Sequence, residues 1–347
     1  MAKKRVAIIC GGKSSEHEIS CVSAGGVLSS IDTSKFEIVL IGITKNGKWL
    51  LLPSDTNFTI TNGALPQVPE SGIEVQITAN SLQAGGKDLA IDVVFPVLHG
   101  PYGEDGTIQG LLEMINLRYV GSGVLASAVS MDKSFAKPIF AAAGLKVAPG
   151  MVVTSSTFSL SDNLTYPLFV KPARSGSSRG TTKVKDEAQL KNAVAFALEF
   201  DTKVLIESAI IGREIECAVL KVDGKTIASP VGQIVIDAKY EFYDFTAKYL
   251  DNSMQLVFPT DLPSDVEVKI QASAIKAFNA AGCEGLARVD FFYSNEGEVI
   301  INEINTMPGF TPLSVYPKLI ERYGISYQDL ITNLITTALT RSANITR

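Results

Sequence analysis

The stretch from Leu286 to Ser314 constrains this chain more than any other. It reads Leu-Ala-Arg-Val-Asp-Phe-Phe-Tyr, then Ser-Asn-Glu-Gly, then Glu-Val-Ile-Ile-Asn-Glu-Ile-Asn, then Thr-Met-Pro-Gly-Phe-Thr-Pro-Leu-Ser. Apolar residues interleave with Arg288, Asp290, Glu303 and Asn305, and Ser294-Asn295-Glu296-Gly297 has the composition of a tight turn with glycine where a positive φ is wanted. The pattern predicts a β-hairpin. Residues two apart on a strand share a face, so a turn that pairs Tyr293 with Glu298 puts all four polar residues on one side. A register slipped by one would separate them. Two carboxylates and an amide oxygen converging on one face are hard donors, suited to the Mg2+ that accompanies nucleotide phosphates.

A chain of 347 residues with 46% hydrophobic and 19% charged residues has room for two or three folded domains. A net charge of −5 without a basic block argues against nucleic acid as a partner. No charge-free apolar stretch approaches membrane-spanning length, and Met-Ala-Lys-Lys-Arg runs straight into a strand, so a cytoplasmic protein is expected. Cys10, Cys21, Cys217 and Cys283 lie far apart without CxxC pairing, which predicts buried reduced thiols and neither a zinc site nor a disulfide framework.

Along the chain, the apolar run from Arg5 to Cys10 breaks at Gly11-Gly12 before Lys13-Ser14-Ser15-Glu16-His17-Glu18. This is strand, glycine turn and helix start, with Ser before Glu as capping chemistry. It is not a P-loop, since Ala7 stands where that motif needs glycine. Glu16 reads either as a carboxylate that holds an ammonium group or as a first-turn acid that complements the helix dipole. Strands follow at 37–44 and 48–52, and 53–90 reads as a loop-heavy insertion rich in Gly, Pro, Ser and Asn. The run 92–98 ends in His99-Gly100-Pro101-Tyr102-Gly103-Glu104-Asp105-Gly106, which places His99 at a C-terminal strand end where parallel sheets build sites. Gly121-Ser122-Gly123-Val124-Leu125-Ala126 fits a dinucleotide pattern but comes late and lacks the acidic partner, so NAD is rejected. One helix is expected over 127–143. Strand 168–172 carries Lys171 into the small-residue loop 173–180, a strong anion-binding composition. Strands 203–207 and 213–222 carry Glu207 and Glu214.

Six groups of residues, in order, resemble the ATP-grasp superfamily and, within it, the D-alanine:D-alanine ligases. They are Gly11-Gly12 with Ser15 to Ser20; Leu98-His99-Gly100 with Gly103 to Gly106; Met131-Asp132-Lys133; Val170-Lys171-Pro172 with Gly176-Ser177-Ser178; Phe242-Tyr243-Asp244 with Ala247-Lys248-Tyr249; and Arg288-Val289-Asp290 with Glu303 to Thr306 and Pro308-Gly309. The resemblance covers nearly the whole chain. It implies an α/β and α+β ATP-grasp fold: an N-terminal Rossmann-like parallel-sheet domain (1–125), a central domain with the glycine loop (126–215) and a C-terminal domain (216–347), with ATP clasped between antiparallel sheets.

The resemblance also implies ligation of two D-alanines through a D-alanyl phosphate, for peptidoglycan precursors. Lys133 and Lys171 match phosphate-contacting lysines, and Ser177 and Ser178 belong to the loop that covers the phosphates. Glu207 matches the partner of the adenine amino group and Glu214 that of the ribose. Asp290, Glu303 and Asn305 match ligands of two Mg2+ ions, with Mn2+ as an alternative. Glu16 would hold the first ammonium, linked by Ser177 and Tyr249 to the loops, with His99 bordering the substrate. Arg288 and the Gly309 N–H would serve the oxyanion. Lys248, Ser314 and the backbone at Val315 would receive the second carboxylate, Lys248 also serving the nucleotide. Tyr249 favours D-alanine over D-lactate in the second site, and the stretch from Tyr240 to Ser253 resembles a closing loop. Arg179 departs from the apolar residue usual in the family and bears on lid dynamics. A homodimer is implied. The alternatives are a D-alanine:D-lactate or D-alanine:D-serine ligase, or a non-catalytic nucleotide-binding module of the same fold.

Overall fold

The runs Val6-Ala7-Ile8-Ile9-Cys10 and Val93-Val94-Phe95 contain no polar residue, as expected of strands covered on both faces, and they form the parallel centre of the first sheet. The computed structural model describes residues 2–61, 63–236, 254–258 and 260–341. In it β1 (Lys4–Gly11) pairs in parallel with both β2 (Phe36–Ile43) and β7 (Val93–Pro96). The insertion read as loop is a correction. After β3 (Trp49–Leu52), it contributes β4 (Ile73–Ile77), β5 (Leu82–Ala84) and β6 (Lys87–Asp88), which extend the sheet as antiparallel strands in the order β6-β5-β4-β3-β2-β1-β7. β4 and β6 are largely exposed and β5 is only three residues long, so they leave little hydrophobic alternation to detect.

The single helix expected over 127–143 is two, Val124–Met131 and Lys133–Ala142, because Asp132 turns extended and caps the second by accepting from the Ser134 N–H at 3.0 Å. The second sheet is antiparallel, β10-β9-β11-β8, built from β8 (Gly150–Val153), β9 (Leu168–Pro172), β10 (Thr182–Val184) and β11 (Val204–Ser208). Its apolar face packs with helix Glu187–Leu198 into a core of its own, including Leu168, Val170, Leu190, Val194 and Ile206.

The third sheet runs β15-β14-β12-β16-β17 over β12 (Gly212–Val222), β14 (Gly232–Ile236), β15 (Met254–Val257), β16 (Leu286–Ser294) and β17 (Val299–Asn305), with β13 (Lys225–Ala228) paired to β12. Strands β16 and β17 are the predicted hairpin, with one correction. Tyr293 pairs with Val299, not Glu298. Carried through, that register would put Asn302, not Glu303, opposite Asp290 and turn Glu303 and Asn305 away. A β-bulge prevents this: Phe291 pairs with Ile301, Asp290 with Glu303 and Arg288 with Asn305, so Asn302 is the extra residue. The two offsets add to two residues, one full side-chain repeat, and the four polar residues share a face as predicted.

Past the hairpin, the fully buried Phe310 meets Phe95 of β7 edge-on at 5.5 Å and stacks on Tyr316. It joins one core shared by both ends of the chain, in which Val6, Ile8 and Val27 pack with Leu319, Leu330 and Leu334. All four cysteines are free and buried. Among the described residues, no helix is long and apolar enough to cross a membrane.

Candidate active site

A cavity of about 350 Å³ opens where the three sheets meet, and Glu16 lies in its wall. Helix His17–Ser30 begins just after this residue, yet the Glu16 side chain does not cap it. The expected Ser–Glu capping arrangement is therefore replaced: the Ser14 hydroxyl donates to the His99 carbonyl at 2.7 Å and accepts from the Glu16 N–H at 3.1 Å. The Glu16 carboxylate instead accepts a hydrogen bond from the Ser177 hydroxyl of the glycine loop. It is flanked by glycines from two sheets: a Cβ at Gly100 would stand 2.5 Å from Oε2, and one at Gly176 would stand 3.2 Å from it. Ser177 and Ser178 are both left-handed, with φ of 53° and 57°, a backbone form that turns successive N–H groups toward an anion.

Glu104, to which sequence reasoning gave no role, is held by the Gly100 N–H at 2.6 Å. Burial, together with the nearby Glu16 carboxylate, pushes it up to about 8. It therefore keeps a proton at neutral pH and adds no second charge beside Glu16.

The predicted lysines fall into two groups. Lys133 opens the helix Lys133–Ala142 and lies 3.0 Å from Glu303 Oε2, while donating to the Ser175 carbonyl at 3.2 Å. Burial opposes its charge, but Glu303 more than offsets this and raises its pKa. Lys171 stands 2.6 Å from Glu207 Oε2 and donates to Asn302 Oδ1 at 3.4 Å. Lys137, which sequence reasoning missed, lies 2.5 Å from Glu207 Oε1. Both side chains of that pair are deeply buried, at 8% and 5% exposed. Burial, with Lys171 alongside, lowers Lys137; burial works the other way on Glu207, but the two lysines hold it below its ordinary value. The structure thus places Glu207 as counter-ion to two ammonium groups. The one sequence signal for Lys137 was its spacing of four from Lys133, one helical turn away. Glu214 lies on β12, opposite Ile234 and Phe292.

On the ribbon, both oxygens of the buried Asp290 accept from Arg288, at 2.8 Å each. Arg288 also lies 3.0 Å from the buried Glu216, a second residue the sequence did not single out. Despite burial, Asp290 and Glu216 hold the guanidinium well above its ordinary value. Asn305 Oδ1 accepts from the Met307 N–H at 3.1 Å. Asp290, Glu303 and Asn305 therefore present oxygen donors on one face, and their charge is balanced by Arg288 and Lys133. That donor set fits a hard divalent cation.

Gly309, Ser314 and Val315 line the same cavity. The Ser314 hydroxyl accepts from the Thr311 N–H at 3.0 Å, and Val315 is the first residue of helix Val315–Tyr323, whose N-terminal N–H groups favour an anion. His99 also borders the cavity, but both ring nitrogens are engaged by the protein, Nδ1 with the Met307 carbonyl at 3.0 Å and Nε2 with Ser23 Oγ at 2.9 Å. Lys248 and Tyr249, with the whole stretch from Tyr240 to Ser253, lie outside the described residues.

Comparison with known proteins finds relatives along nearly the whole chain. A family profile described as "D-ala D-ala ligase N-terminus" matches residues 5–122, and one described as "D-ala D-ala ligase C-terminus" matches 139–336. A D-alanine--D-alanine ligase of Arthrobacter sp. (strain FB24) is 48% identical over 99% of this chain and 96% of its own length. The VanG D-Ala:D-Ser ligase from Enterococcus faecalis superposes with a TM-score of 0.84 at 36% identity, over 97% of this chain and 100% of that one. A D-alanine--D-alanine ligase from Bacillus anthracis complexed with ATP gives 0.73 at 28% identity, over 97% of each chain.

Proposed function

The chain belongs to the D-alanine–D-alanine ligase family, and from that premise we propose how its residues divide the ATP-dependent joining of two D-alanines for peptidoglycan synthesis. A carboxylate is a poor electrophile, so the first D-alanine takes the γ-phosphoryl group of ATP and becomes an acyl phosphate. The second attacks through its neutral amine, and phosphate leaves.

Glu16 holds the first ammonium, and the Ser177 hydroxyl on that carboxylate brings the glycine loop over the phosphates. Lys133 and Lys171 exchange their carboxylate partners for phosphate oxygens, while Lys137 stays to neutralise Glu207. Ser178 contributes to the loop's anion cradle, and Glu207 and Glu214 face the adenosine. Asp290, Glu303 and Asn305 would hold Mg2+, two ions in our reading, which when bound neutralises charge on the transferring phosphoryl group. Arg288 and the Gly309 N–H are aimed where the oxyanion develops. Ser314, the backbone at Val315 and Lys248 receive the second carboxylate, and closure by Tyr249 and its loop keeps water from the acyl phosphate. Domain boundaries after residues 125 and 215, a cytoplasmic homodimer and a preference for D-alanine in the second site complete this reading; they rest on the family resemblance.

The observation that carries the assignment is the hydrogen bond from Ser177 to Glu16, which sets the anion-binding loop on the carboxylate meant for the ammonium, in a cavity that Arg288 and Glu303 also line. The test is ATP-dependent phosphate release with D-alanine and, separately, L-alanine, followed by product analysis with D-alanine and D-serine mixed. Release with D-alanine alone and a D-alanyl-D-alanine product are expected. Release with L-alanine only would overturn the substrate assignment, and a D-alanyl-D-serine product would move the second site to the other specificity.

A further inference from the structure

We propose that Ser23 and His99 are positioning residues for the bond-forming step, forming a hydrogen-bond relay that fixes the turn Met307–Phe310 and with it the backbone of Gly309. The inference rests on the reading above that Gly309 serves the oxyanion. It follows from an account of donors and acceptors around one imidazole. A carbonyl can only accept, so the His99 Nδ1 that meets the Met307 carbonyl at 3.0 Å carries the ring proton. The ring is buried, and burial holds it below its ordinary pKa although Glu16 pulls the other way. A neutral ring with its proton on Nδ1 leaves Nε2 as an acceptor. The Ser23 hydroxyl, 2.9 Å away, therefore donates to it. Its proton committed, Ser23 Oγ accepts from the Phe310 N–H at 3.3 Å.

The circuit closes on a single segment. Phe310 N–H donates to Ser23, Ser23 to His99, and His99 to the carbonyl of Met307, so the two ends of a four-residue turn are gripped by two side chains of the N-terminal sheet layer. Gly309 lies between the gripped ends and borders the cavity. The main-chain carbonyl of His99 is tied through Ser14 to the Glu16 N–H, so the loop that carries the ammonium site and the turn that carries Gly309 meet at one residue. Ser23 is fully buried and lies outside every motif the sequence singled out, which is why only the folded arrangement assigns it this work. A displacement of about 1 Å in such a turn is enough to weaken an oxyanion contact by an order of magnitude or more.

The experiment uses the full-length enzyme. The chain has two histidines, so long-range 1H–15N spectra of histidine-labelled protein contain two imidazoles, separated with a His17→Gln sample. A neutral His99 protonated on Nδ1 is expected, and in Ser23→Ala its Nε2 resonance moves as the hydroxyl donor is lost. Kinetically, Ser23→Ala is expected to lower kcat for D-alanyl-D-alanine about tenfold, with KM for ATP within about twofold of wild type. A His99 protonated on Nε2 in the wild type overturns the relay even if Ser23→Ala fails to fold. So does an unchanged kcat, or a loss shared equally by KM for ATP. Wild-type enzyme that releases no phosphate with D-alanine would instead overturn the underlying reading.

Discussion

The N-terminal and central sheets are attached to the C-terminal one in opposite ways. The N-terminal sheet shares a single apolar core with it: Val6, Ile8 and Phe95 pack with Phe310, Tyr316 and Leu334. The central sheet keeps a core drawn, among the described residues, from 151–206 alone, and reaches its neighbours through charged and hydroxyl groups. Examples are Ser177 on Glu16, Lys171 on Asn302, and Lys203 on Asp132 at 2.5 Å. An apolar seam has one low-energy arrangement and resists sliding. A polar seam can be exchanged, contact for contact, for hydrogen bonds to another polar group, which is what a clasp for phosphates requires. The difference teaches which half of the molecule is anvil and which is lid.

The largest effect should come from the apolar seam. Phe310→Ala removes a fully buried ring and is expected to cost about 3–5 kcal/mol, lowering the melting of both outer sheets together. Calorimetry in which only the central sheet is destabilised would break the comparison. Next, Glu303→Ala in the polar seam should lower phosphate release on the order of 10²–10³-fold while leaving the fold intact; wild-type turnover would sink the metal assignment. Ser177→Ala should follow with roughly a tenfold loss in kcat/KM and an unchanged central core, and an unaffected rate would show that the loop closes without Glu16.

The smallest effect sharpens the electrostatics. Glu104 is raised to about 8, so between the ordinary carboxylate range and that pH the folded protein holds a proton the unfolded chain has lost. This contribution is fully present at low pH and is lost as pH rises toward 8. Glu104→Gln removes the dependence, and the melting temperature of the variant minus that of wild type should grow by a few degrees from pH 5 to pH 8. A flat difference would show that Glu104 is ionised throughout.

How much of this could be read beforehand depended on how local each signal was. Lys171 before a loop of small residues and the alternating ribbon were visible because a strand repeats every two residues. The meeting of Asp290 with Glu303 was foreseen through a pairing one residue out at the turn, which the bulge at Asn302 compensates. Strands β4–β6 escaped because runs of two to five residues, with one, two and no buried residues respectively, are too short to show a periodicity. Glu16 was ambiguous locally, and only the fold brings Ser177 to it from 161 positions away. Glu216 and Ser23 act solely through tertiary partners, so their sequence neighbourhoods gave no hint of them, and Lys137 offered only its one-turn spacing from Lys133.

The bulge at Asn302 also gives this ribbon one residue in reserve. Deleting that one residue would leave the turn and both strands intact and let the pairing run on regularly, Phe291 with Ile301 and then Asp290 with Glu303, so Glu303 and Asn305 would keep their face. A second residue lost from β17 ahead of Glu303 would have no bulge to absorb it and would turn Glu303 and Asn305 toward the helix Ser264–Ala280 on the far face. The ribbon can thus give up one residue at this point without turning its donors away, and only one, as a chain with a single slack link shortens once before it pulls.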